Sequence, residues 1–132
     1  MNRSGLAVKQ LVEYYRPETK NMMLIHDDLD LDVGRMKIAR GGGAGGHHGL
    51  ESVFFHLKIT EFNRIKIGIG RPRHGESIED FVLGQPYEDQ REPIKDILHT
   101  AVEAIELFVL RDVESAMNTF NSPGVRKQEV EG

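Results

Sequence analysis

Residues 25–50, IHDDLDLDVGRMKIARGGGAGGHHGL, are the passage on which the fold turns. They open inside a short apolar run, NMMLIHDD, the pattern of a buried strand whose acidic C-terminal end reaches a site. A second strand follows in GRMKIAR, where Met36 and Ile38 alternate with Arg35 and Lys37 and Arg40 lies close by, so bases line its polar face. The turn between them, DLDLDVG, allows an antiparallel hairpin. Six glycines then crowd positions 41–49, around the adjacent pair His47 and His48. Ordering glycine costs more backbone entropy than ordering any other residue, so such a run implies that a backbone or ligand approaches closely.

Outward from this passage the pattern is mostly helical. LAVKQLVEYY spaces Leu6, Val8, Leu11, Val12 and Tyr15 as a helix does, with Ser4 placed to cap it and Pro17 to stop it. GLESVFFHLK reads as a helix opening directly from the glycine loop, and FNRIKIGIGRP as a strand closed by Gly70 and Pro72. A short amphipathic helix in SIEDFVL precedes the longest one, whose Ile94, Ile97, Leu98, Ala101, Val102, Ile105 and Phe108 recur at helical spacing. Pro93 is tolerable in its first turn. DVESAMNTFN is a last short helix. Residues 1–121 are expected to form one α/β domain, a mixed β-sheet sandwiched by helices, with residues 122–132 as a flexible tail. Three strands are few for such a sheet. MMLI should be buried on both faces and so needs a neighbour on each side, whereas the hairpin supplies only one.

Composition narrows the classes. The chain has 132 residues, 39% of them apolar and 29% charged, which fits one soluble domain. No apolar run approaches the roughly 20 residues of a membrane helix. There is no cysteine, hence no disulfide framework or thiolate metal site, in keeping with a reducing cytoplasm. The net charge of −4 is unevenly spread: residues 33–74 carry eight Lys and Arg against two acids, and the remainder is strongly acidic. A basic block around a glycine loop is the footprint expected for phosphate or nucleic acid.

The chemistry-bearing residues leave several readings open. The glycines match neither the phosphate loop nor the dinucleotide fingerprint, although a loop ending at a helix N-terminus suits an anion. Adjacent histidines point apart and no partner set supports a metal, so His47 and His48 read as polar groups at the helix start, one inward and one outward. Asp27 or Asp28, at a strand end, suits a carboxylate that orients a histidine base, while Asp30 and Asp32 read as turn residues.

Taken together, MNRSG at the start, the H-D-x-L-D strand end, the glycine loop closing in G-G-H-H-G-L, FNRIKIGIGRP and FVLG resemble the bacterial-type peptidyl-tRNA hydrolase family, in that family's order and from Met1 to about Asn121. The resemblance implies cleavage of the ester between a peptide and the 3′ end of tRNA by general-base activation of water, without metal or cofactor. It carries the orienting aspartate to Asp27, the histidine of the family's G-G-H-N-G motif to His47, which with Asp27 is expected to be catalytic, and a substrate contact to Asn2. His48 stands where the family has asparagine, and an imidazole replaces only one of an amide's hydrogen bonds. Lys37, Arg40, Arg64 and Lys66 become the expected phosphate contacts.

In the family, a strand, a G-x-G-N-P-G turn and the catalytic histidine precede the M-N-x-S-G motif. By the resemblance this sequence corresponds to the C-terminal two-thirds, with the base and a central strand absent from it. Low or absent hydrolase activity is therefore expected, together with self-association through an exposed sheet edge. The alternatives are a non-catalytic RNA-binding relative and an inactive fragment.

Overall fold

In a computed structural model of the chain, residues 4–45, 47–58 and 61–121 are described. The expected tail, 122–132, and Asn2 lie outside them. The elements run α1 (Ser4–Tyr15), β1 (Met23–Asp28), β2 (Met36–Arg40), α2 (His48–Leu57), β3 (Asn63–Gly68), α3 (Ile78–Leu83), α4 (Arg91–Leu110) and α5 (Val113–Phe120). Two compact units divide the chain. One comprises Met1–Leu24 with Ala39–Arg64, the other Ile25–Ile38 with Ile65–Gly132.

The sheet is mixed and its order is β1-β3-β2. Gly41 N–H donates to Phe62 C=O, and Gly68 N–H to Arg35 C=O, so β2 and β3 run antiparallel. Ile69 N–H donates to Asp28 C=O, and the Asn63 side chain reaches Met22 C=O, so β1 and β3 advance together. The hairpin expected between β1 and β2 is therefore opened by β3, which lies between them. The expectation that MMLI is buried on both faces is also corrected. β1 is an edge strand with no fully buried residue, and Ile25 is 51% exposed. The most deeply buried strand is β3, in which every residue but the half-buried Lys66 is buried, and it carries Asn63 and Arg64 inside.

Each unit has its own packing. In the first, α1 lies on α2 so closely that a Cβ on Gly5 would meet the Ser52 carbonyl oxygen at 2.0 Å. Gly5 N–H donates to Ser52 Oγ at 3.0 Å. Leu50, Val53 and Phe62 are buried there, with the Phe62 ring stacked on Phe54. In the second, α4 packs on α5, and Ile97, Ala101, Ala104, Val113, Ala116 and Phe120 are buried with Ile65 and Ile67. The apolar stripe of α4 is wider than its buried face: Leu98 and Val102, expected in the core, are 46% and 53% exposed. Asn121, just past α5, bonds β2 through both ends of its amide, accepting from Ile38 N–H at 2.9 Å and donating to Ile38 C=O at 2.7 Å.

Candidate functional site

The glycine loop belongs to the first unit, and its conformation accounts for part of its composition. Gly41, Gly42 and Gly45 adopt positive φ, where an L side chain is strained. At Gly41 the approach is also tight, because a Cβ would lie 2.6 Å from a carboxylate oxygen of Glu61. At Gly43 neither condition holds, since nothing lies within 4 Å of its Cβ position and its φ is not positive.

The loop is fastened from β3. Arg64 is 1% exposed, and its guanidinium donates to Gly43 C=O and Gly42 C=O, both at 2.9 Å. The same group lies over the Phe54 ring, 5.3 Å from its centroid. Burial pushes its pKa below the ordinary arginine value, and attraction from Glu61 partly opposes this. The expected phosphate contact at this position is thus a buried guanidinium engaged with backbone. The resemblance gave no sign of this, because the partners are glycine carbonyls 21 and 22 residues away.

At the end of the loop the two histidines take different places. His47 is the N-cap of α2: its Nδ1 accepts from Leu50 N–H at 3.2 Å. A neutral imidazole that accepts at Nδ1 carries its proton on Nε2. His48, in the first turn, is exposed and lines an open cavity of about 460 Å³ with Glu51, Ser52, Phe55 and His56. His56 donates from Nδ1 to Ser52 C=O, the usual helix back-bond direction.

In the second unit, Asp27 sits half-buried near the end of β1. Its neighbours are occupied with the turn. Asp28 accepts from Asp30 N–H at 2.8 Å, Asp30 pairs with Arg71, and His26 donates from Nδ1 to Asp27 C=O. Lys37 is exposed on β2, and Lys66 is half-buried on β3. Arg40, exposed at the end of β2, belongs with the glycine loop in the first unit.

The basic block is less available than its count suggests. Arg64 is buried, while Arg71 and Arg73 are paired with Asp30 and Asp89 from outside the block. Arg73 also lies over the Tyr87 ring at 4.4 Å, and its N–H donates to the Tyr87 hydroxyl. Tyr87 in turn donates to Glu76, which holds the Glu76 carboxyl below its usual range. Among the described residues no group of three or more His, Cys, Asp or Glu is placed to hold a metal. No helix there is long and apolar enough to cross a membrane.

The chain as a whole is similar to known proteins. The peptidyl-tRNA hydrolase family model matches residues 1–129. The peptidyl-tRNA hydrolase of Halalkalibacterium halodurans is 40% identical over 121 residues, covering 92% of this chain and 65% of that protein. That of Clostridium acetobutylicum is 40% identical, covering 92% and 64%. A crystal structure of the Acinetobacter baumannii peptidyl-tRNA hydrolase superposes with a TM-score of 0.83 at 33% identity, covering 92% of this chain and 62% of that one. The chain belongs to the peptidyl-tRNA hydrolase family and has its α/β fold. It spans slightly less than two thirds of the length of the relatives it matches.

Proposed function

We propose that this chain carries the tRNA-holding and base-orienting part of a peptidyl-tRNA hydrolase, and that alone it cleaves the peptide–tRNA ester slowly or not at all. The observation that carries this reading is the family match along residues 1–129, with Asp27 at a strand end and His47 at the start of α2. In the proposed chemistry, water attacks the ester carbonyl while a histidine accepts its proton. The bond to the ribose oxygen breaks, and the leaving 3′ oxygen takes up a proton. Asp27 holds that histidine in its working tautomer, as the carboxylate of a triad does. His47, donating from Nε2, stabilises substrate rather than activating water. Asn2 and His48 contact the substrate end, and Lys37, Arg40 and Lys66 meet tRNA phosphates.

Loss of a positioned base typically costs about 10²–10⁴ in rate. The reading fits a soluble cytoplasmic protein of translation. The edge position of β1, with Ile25 half exposed, supports self-association through that strand. Light scattering of the purified chain across a dilution series checks it, and a monomer at every concentration counts against it.

The deciding experiment is hydrolysis of an N-blocked aminoacyl-tRNA by the purified 132-residue chain beside its Asp27→Ala variant. No turnover in a folded sample that still binds tRNA is the expected result. Turnover that Asp27→Ala abolishes would show that a histidine within this sequence serves as the base. A folded sample that neither binds tRNA nor turns it over would remove the proposal.

A further inference from the structure

Arg64 was expected among the phosphate contacts, and it lies buried with its guanidinium on the carbonyls of the glycine loop. Its two terminal nitrogens each reach a different carbonyl, on consecutive residues of a segment with little side chain of its own. Glycine carbonyls in such a segment have no side-chain anchor, and Gly42 is held at a φ of 104°. A planar guanidinium presents two parallel donors at fixed spacing, which a lysine ammonium does not. Phe54, from α2, supplies the ring beneath it. The Glu61 carboxylate lies against Gly41, one residue before the first of those carbonyls. One side chain thus joins the central strand, the loop and the helix that the loop enters.

From this we infer that Arg64 is a positioning residue. It fixes the loop at Gly42 and Gly43 so that the chain arrives at His47 in the geometry that caps α2 and presents His47 and His48. The role depends on the fork of the guanidinium and not on its charge. For tRNA it rests on the function proposed above, whereas for the geometry of the loop it stands alone.

Charge and fork are separated by Arg64→Lys in the full chain, read two ways. The first is amide hydrogen exchange. Gly41 N–H and His47 N–H are hydrogen-bonded to Phe62 C=O and Ala44 C=O, so both report the order of the loop, while Ile65 and Ile67 report the core. Arg64→Lys should speed exchange at Gly41 and His47 at least tenfold more than at Ile65 and Ile67. Equal acceleration everywhere would mean that Arg64 serves only global stability, and no acceleration would mean that the loop holds without it. Either result overturns the inference.

The second reading is affinity for deacylated tRNA between about 0.05 and 0.2 M salt. Arg64→Lys should weaken binding about five- to twentyfold, the scale of re-ordering one released residue, with an unchanged salt slope. Full affinity with Lys, or a slope lowered by about 0.9 in Arg64→Met, would make Arg64 a phosphate contact and overturn the inference. If Arg64→Lys does not fold, Phe54→Leu removes the supporting ring and leaves Arg64 in place. The same loop-confined acceleration is expected there, and its absence overturns the inference. A parent chain that fails to bind tRNA defeats the proposed function, and the exchange pattern still decides the role of Arg64.

Discussion

The loop before α2 and the loop after β3 are each held by an arginine lying on an aromatic ring, but they are held by different physics. Arg64 is buried on Phe54 and spends its donors on backbone carbonyls. Arg73 is exposed on Tyr87 and spends its donors on the Asp89 carboxylate, with both oxygens within 3.0 Å. In the first case burial of the guanidinium strengthens the hydrogen bonds it makes. In the second, water and salt compete with the ion pair at every moment. Two arginines with similar contacts should therefore differ greatly in what they contribute.

Removing the first arginine should have the largest effect. Arg64→Met takes both donors from the Gly42 and Gly43 carbonyls and removes the guanidinium from the Phe54 ring, and a loss of about 2–4 kcal/mol in a denaturant melt is expected. A loss below about 0.5 kcal/mol, the ordinary scatter of surface changes, would erase the contrast between the two loops. Next comes Gly41→Ala, which forces an L side chain to positive φ against the Glu61 carboxylate. About 1–2 kcal/mol is expected, and Glu61→Ala in the same background should recover the steric part but not the backbone part.

The loop after β3 should respond to pH where its partners titrate. Glu76 is held below its ordinary 4.5 chiefly by the Tyr87 hydroxyl. Its contribution is therefore present above that value and is lost as pH falls through the lowered one. Tyr87 is raised above 10.0 by desolvation and by Glu76, so its share is intact below 10.0 and lost as pH rises past the raised value. The backbone amide shifts of Arg73 and His74 should follow both transitions, and Glu76→Gln should abolish the acidic one. An unaltered acidic transition in that variant would assign it elsewhere. The smallest effect belongs to Asp89→Asn, at about 0–1 kcal/mol and vanishing in high salt. A larger loss that survives salt would place Arg73 in the same class as Arg64.

The helices α1, α2, α4 and α5 were legible in the sequence from their periodicity, although the apolar stripe overstates burial: Leu6, Leu11 and Tyr15 of α1 are exposed, as are Leu98 and Val102 of α4. The strands were not ranked correctly. MLIHDD, the more apolar, is the edge strand, while FNRIKIG, with Asn63 and Arg64 near its start, is the central one. Hydrophobicity misplaces such a strand because its polar side chains are paid for by distant backbone. Asn63 donates to Lys20 C=O and Met22 C=O, as Arg64 does to the loop. In the site, the positions of His47 and His48 at a helix start were readable, since a loop-to-helix junction has a local signature. The part played by Glu61 and Arg64 was not, because its acceptors are carbonyls and an empty Cβ position, neither of which leaves a mark in the residue pattern.

The amide of Asn121 has a consequence for how the chain finds its register. Backbone groups along a strand face its two neighbours alternately, and Ile38 turns its N–H and C=O away from β3 toward Asn121. Were β2 to slip by one residue, its side chains would exchange faces, and the amide could bridge Lys37 or Ala39 only with Met36 and Ile38 turned out of the core. Asn121 therefore fastens the one alignment that the core also favours: a single side chain, 83 positions downstream, holds an early strand in register.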